Sequence, residues 1–174
     1  MKVQLKPMLS VIGEHLIYMF LSLILVSLLG SIFGSWTYGV SIITILIYVS
    51  SLYSAGWHQS GKDFRSGNEF AKNDPDGKNP YRIYAGFVIA LPMLAISLVL
   101  FILMRVFGIG LWFTLYRVYN MYFLFLFDIK RFGLVMEIVA VLLPYLAYSL
   151  GYIAGKSKKV FVSKYFNKLI YKKK

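Results

Sequence analysis

The sequence predicts an all-α integral membrane bundle with four transmembrane helices, and three observations carry that reading. Four apolar runs, at about 16–33, 36–57, 83–107 and 134–155, approach or exceed the ~20 residues that cross a hydrocarbon layer. Only 15% of the residues are charged, against about 25% in an ordinary soluble domain, and they cluster between the runs. The end of the chain, Lys156–Lys174, holds eight lysines and no acid. The chain thus divides into a membrane domain, 1–155, and a basic tail, 156–174.

The first expected span, Leu16–Phe33, follows a short mixed stretch with Lys2, Lys6 and Pro7. A basic start before an apolar middle also describes a secretory leader. No A-x-A-like cleavage site follows, however, and a second apolar run begins at once. Gly30 and Gly34 form a G-x-x-x-G, a spacing that lets two helices approach closely. The uncharged Gly34–Gly39 implies a tight hairpin. In the second span Ser41, Thr44, Tyr48, Ser51 and Ala55 recur at helical intervals and share one face. That face is either a polar track or a packing surface whose hydroxyls bond backbone carbonyls. The absence of charge on it favours packing.

Residues 58–82 are the long hydrophilic segment and read as a water-facing loop. Asn73–Gly77 is its strongest turn signal. Asp63, Arg65, Asn68 and Glu69 read first as a solvated loop whose charges keep it at the surface, with a docking surface or polar-ligand site as the alternative. Asp74, Asp76 and Asn79 lack the order and closing Glu of a calcium loop, so no metal is expected there.

The third span contains Gly86 and Pro92, and the proline implies a kink. The segment 108–127 is dense in aromatics, including Trp112, Tyr116, Tyr119 and Tyr122. Its length would allow a fifth crossing. Its aromatic content favours an interfacial or re-entrant helix at head-group level. In the fourth span Pro144 implies another kink, and Ala147, Gly151 and Gly155 form a small-residue ridge. The tail projects as a basic amphipathic helix. Val162, Tyr165, Phe166, Leu169 and Ile170 share one side, opposite Lys164, Asn167 and Lys168.

Lys and Arg accumulate on the cytoplasmic side of membrane proteins. Four spans with both termini inside place fifteen of the nineteen basic residues there. A fifth crossing through 108–127 would move the eight tail lysines outside. The expected topology is therefore multi-pass in the cell (inner) membrane, with both termini cytoplasmic.

Gly56-Trp57-x-x-x-Gly61-x-Asp63, followed by Gly86 and Pro92, resembles a group of small uncharacterised membrane proteins of low-GC Gram-positive bacteria. They are similar in carrying a polar loop that runs into a G-x-x-x-x-x-P span. The likeness covers about residues 54–92. It implies a bacterial inner membrane and brings no activity with it.

The chain has no cysteine, which excludes disulfides, thiolate zinc sites and cysteine nucleophiles. Hydrolase, metalloprotease and phosphate-loop motifs are absent from it as well. No catalytic residue, cofactor or metal ligand is assigned. His15 and His58 both border expected spans and read as interfacial side chains, with a base or ligand role as the alternative. Glu14 and His15 fall at the inner edge of the first span. Arg105 and Glu137 fall near the outer ends of the third and fourth spans with opposite sign, which makes them a candidate intramembrane pair.

The net charge of +12 points to anionic lipid head groups rather than nucleic acid, with Lys158, Lys159, Lys164 and Lys168 as the lipid-facing cations. A membrane-protein partner or a second copy is the other expected contact. The favoured function is a non-enzymatic accessory or interaction subunit of a membrane complex. A small transporter using the Ser41–Ser51 stripe is the alternative, and a lipid-modifying enzyme using Asp63 comes third.

Overall fold

A computed structural model describes residues 5–33, 37–73, 81–108, 110–124, 126–127 and 133–156. It contains α1 (Leu5–Phe33), α2 (Thr37–Asn73), α3 (Ala85–Phe107), α4 (Leu111–Tyr119), a single 3-10 turn (Met121–Phe123) and α5 (Gly133–Lys156). Among the described residues all regular structure is helical. Four helices are long and apolar enough to cross a membrane: Leu5–Leu29, Tyr38–Asn73, Ala85–Phe107 and Gly133–Gly155. The lysine-rich tail, with Lys158, Lys159, Lys164 and Lys168, lies outside the described residues.

Two boundaries differ from those expected. The first helix starts at Leu5, not Leu16. Pro7 falls in its first turn, where the missing N–H has no intrahelical partner to lose. Val11, His15, Ser22 and Val26 then carry the buried face through the polar stretch. The second helix does not end near Trp57 but continues to Asn73, so the expected loop 58–82 is helical over most of its length. The first proline after it is Pro75. The extension is tied down locally, with Gln59 Nε2 donating to Asp63 Oδ1 at 2.8 Å and Arg65 Nε to the Gly61 carbonyl at 3.1 Å. Phe64 packs edge-on against Tyr81. At 1.5 Å per residue α2 is about 55 Å long, well beyond a ~30 Å hydrocarbon core.

The α2–α5 pair forms the spine of the bundle. Its helices meet backbone to backbone at glycines. A Cβ on Gly56 would strike the Tyr148 carbonyl, and one on Gly151 would strike the Tyr53 carbonyl. One on Gly155 would come within 2.5 Å of the Trp57 carbonyl oxygen and 2.7 Å of Ser60 Cβ. Ala147 is also buried. The ridge Ala147–Gly151–Gly155 thus faces α2, with Gly56 as its counterpart. Helix α3 packs on the other flank of α5, where Gly86 leaves room for the Tyr152 side chain. Pro92 and Pro144 lie inside α3 and α5. Gly30 falls within α1, whereas Gly34 is outside the described residues.

After α3 the chain turns at Gly108 and Gly110, whose φ values of 73° and 154° favour glycine. Helix α4 has 9 residues, about 13 Å of rise, too short to cross a bilayer. It leads to the Met121–Phe123 turn, which packs against α1 and α2 rather than on the bundle's exterior. Tyr119, Tyr122 and Phe123 are buried there.

Candidate functional site

A concavity lined largely by polar side chains lies between α1, α2 and α5. It is half-open, with a volume of about 630 Å³. Helix α1 contributes Ser10, Val11, Glu14 and Tyr18, spaced so that they share one face. Helix α2 contributes Ser50, Ser51, Ser54, Ala55, His58, Gln59 and Lys62, again at helical intervals, and α5 contributes Tyr148. Of the expected stripe, Ser51 and Ala55 line this cavity, while Ser41, Thr44 and Tyr48 are buried in the bundle. One stripe therefore does both things the sequence left open. Thr44 Oγ1 donates to the Ser41 carbonyl at 2.9 Å, and the cavity begins two turns further on.

Glu14 is the notable side chain of the cavity. Its Oε2 is buried and has no hydrogen-bond partner. Lys62 is near enough to act on the carboxyl's charge, and the Ser10 hydroxyl is beside it. The Lys62 side chain is exposed, as is that of His58.

Beneath the cavity lies an aromatic knot. His15, expected at a span edge, is instead fully buried. Its Nδ1 shares a hydrogen bond with the Tyr48 hydroxyl, and its Nε2 has no partner. The Tyr48 ring stacks on Tyr122 with centroids 4.0 Å apart, and Tyr119 lies 4.2 Å from the imidazole. The Tyr122 hydroxyl donates to Asn120 Oδ1 at 3.0 Å, and Asn120 Nδ2 donates to the Tyr116 carbonyl at 3.0 Å. Tyr119, Asn120 and Tyr122 are thereby plugged into the centre of the bundle. His15 has no exposed surface, so it serves as a packing and hydrogen-bonding group rather than an interfacial one.

Nothing in this chain matches a family model, a curated protein or a solved structure.

The candidate loop residues do not converge on one site. Asp63 turns toward α5, where its Oδ2 accepts a hydrogen bond from the Tyr152 hydroxyl at 2.7 Å. Ser60 and the Tyr81 hydroxyl are 2.8 Å apart, and the rings of Tyr81 and Tyr152 stack. Tyr81 lies outside the spanning helices. Its pKa is raised, chiefly by burial, with the Asp63 charge adding to the effect and the Ser60 hydrogen bond opposing it. Arg65, Asn68 and Glu69 are exposed on the α2 extension. At the far end of the bundle, the structure brings Arg105 and Glu137 together as an ion pair, with Arg105 also over the Phe101 ring. The Tyr116 hydroxyl donates to the Glu137 carbonyl at 2.7 Å.

Among the described residues no three His, Cys, Asp or Glu side chains group as a metal site. Both Asp63 oxygens already accept hydrogen bonds, so Asp63 is engaged in structure. The serines at 50, 54 and 10 were not singled out from sequence. Their signal was present in the recurrence of hydroxyls beside Glu14 and His58, but only once α1 and α2 are set antiparallel.

Proposed function

We propose that this chain is a non-enzymatic, permease-like protein of a bacterial inner membrane that takes a small polar solute or lipid head group into the α1–α2–α5 cavity from the cytoplasmic side. In this reading both termini and the polar end of α2 face the cytoplasm. The α4 segment dips into the bilayer from the opposite face, and the lysine-rich tail lies on anionic head groups as an amphipathic helix.

The observation that carries it is the buried, unpartnered carboxylate oxygen of Glu14 in a cavity lined with hydroxyls. Ionisable groups in membrane helices are expensive and tend to mark ligand or ion paths. The cavity also lies where the apolar run of α2 gives way to its charged extension, which suits access from water. The test is solvent access. Ser54→Cys should react with a charged thiosulfonate reagent added to inside-out vesicles and stay unreactive in intact cells. Failure to react from either side contradicts a water-filled, inward-opening cavity.

An accessory-subunit role is the second reading, and α1 favours it. Of its apolar window 22% is buried, against 28–33% in the other spans, which leaves room for another helix. Recovery of a stoichiometric membrane partner after mild detergent extraction would support that role.

A further inference from the structure

Resting on the binding reading above, we propose that the cavity takes a small organic ammonium group, held by the Glu14 carboxylate beside the rings of Tyr18 and Tyr148. Glu14 is half-buried, and a carboxylate partly withdrawn from water gains from a proton or a neighbouring cation. Among the described residues the cations leave the pairing incomplete. Lys62 acts on the charge of Glu14 but makes no hydrogen bond to its buried oxygen. His15, next in sequence, is bonded to Tyr48 in the knot below.

Apart from Lys62 and His58, which are exposed at the cavity, the lining around Glu14 suits an ammonium better than a metal ion or an anion. One carboxylate among hydroxyls is too few hard ligands for calcium, which takes six to eight oxygens. An ammonium needs one negative charge, a few oxygen acceptors and preferably an aromatic surface. Glu14 supplies the charge, Ser51 and Ser54 offer hydroxyls, and Tyr18 and Tyr148 are the aromatic members of the lining. Ser50 is less available, because its hydroxyl already donates to carbonyls of its own helix. A volume of about 630 Å³ is far larger than the ammonium alone, so the group is carried by a larger molecule. A free amine and the ethanolamine head group of a lipid share this chemistry. The half-open cavity at the end of the apolar run is reachable by either.

The experiment uses the full chain in nanodiscs of phosphatidylglycerol alone. Its melting is followed with ethanolamine, and with acetate and glycerol as controls. Ethanolamine should raise the melting temperature. Its apparent affinity should fall at least about tenfold in Glu14→Gln, as expected when one member of a half-buried charge pair is removed. Ser54→Trp, a bulky change at an exposed lining position that leaves the Glu14 carboxyl in place, should block the shift, and so covers the case of a poorly folding Glu14→Gln.

In a second arm the nanodiscs contain phosphatidylethanolamine as well, and bound lipid is read by native mass spectrometry. Retention of phosphatidylethanolamine by the wild type and not by Glu14→Gln, with no shift from free ethanolamine, supports the proposal with the lipid as the source. A shift without lipid retention supports it with a free amine as the source. If Glu14→Gln binds the amine as tightly as wild type, or only acetate or glycerol stabilises, the ammonium proposal falls and the binding reading survives. If no solute shifts melting and no lipid is retained, both fall.

Discussion

The hydroxyl of Tyr152 on α5 donates a hydrogen bond to Asp63 Oδ2, 2.7 Å away on the polar extension of α2. With Gln59 bonded to the other Asp63 oxygen, this contact ties the charged half of α2 to the spine. Tyr152→Phe and Asp63→Asn should each destabilise by about 0.5–1.5 kcal/mol, the net worth of a part-buried hydrogen bond. The double variant should lose less than the sum, because both remove one interaction. Denaturant melts in detergent read this directly, and strict additivity would contradict a shared role.

The glycine seam makes a contrast available within one protein. Gly56→Ala and Gly151→Ala push a methyl into the facing backbone, which has no flexible end to yield. Each should destabilise by about 1–3 kcal/mol despite the better helix propensity of alanine. A Cβ at Gly13 or Gly61 meets nothing within 4 Å, so alanine there should be neutral or stabilise by about 0.5–1 kcal/mol. Equal effects at all four positions would mean that α2 and α5 do not meet this closely.

Tyr81 gives the structure an alkaline signature. Its folded-state pKa lies above the ordinary tyrosine value near 10, so the unfolded chain loses this proton first. The linked stability is intact below about pH 10 and drains away as pH climbs through the folded-state value. Melting temperature measured from pH 8 to 11.5 should therefore decline above pH 10, and less steeply in Tyr81→Phe. Parallel curves for the two proteins would remove Tyr81 from the account.

Arg105 and Glu137 join α3 to α5 at the end of the bundle away from the cavity. The arginine side chain is 48% exposed, so the pair is worth little by the standard of buried charges. A double-mutant cycle with Arg105→Ala and Glu137→Ala should return a coupling of roughly 0.5–1 kcal/mol. If both single variants melt like wild type, the pair is incidental.

Hydropathy located all four long helices, because length and apolarity are what lipid demands of a span. It misplaced the start of α1 because Lys6, Ser10, Glu14 and His15 read as water-facing. In the structure His15 finds its partner in Tyr48, which no one-dimensional average can register. It ended α2 too early for the related reason that charged residues leave the bilayer without leaving the helix. The ridge Gly151–Gly155 and the opposite signs of Arg105 and Glu137 were visible as spacing and charge. The cavity was not, since it exists only where Ser51 and Ser54 of α2 are brought opposite Glu14 of α1.

The central claim is that the chain crosses the membrane four times and keeps both ends on the inner side. The chain has no native cysteine, so single cysteines report without background. With an impermeant maleimide on intact cells, Phe107→Cys should label, whereas Ser66→Cys and Ser163→Cys should label only after permeabilisation. Labelling of Ser163→Cys from outside would contradict the topology, and with it the inward-facing cavity.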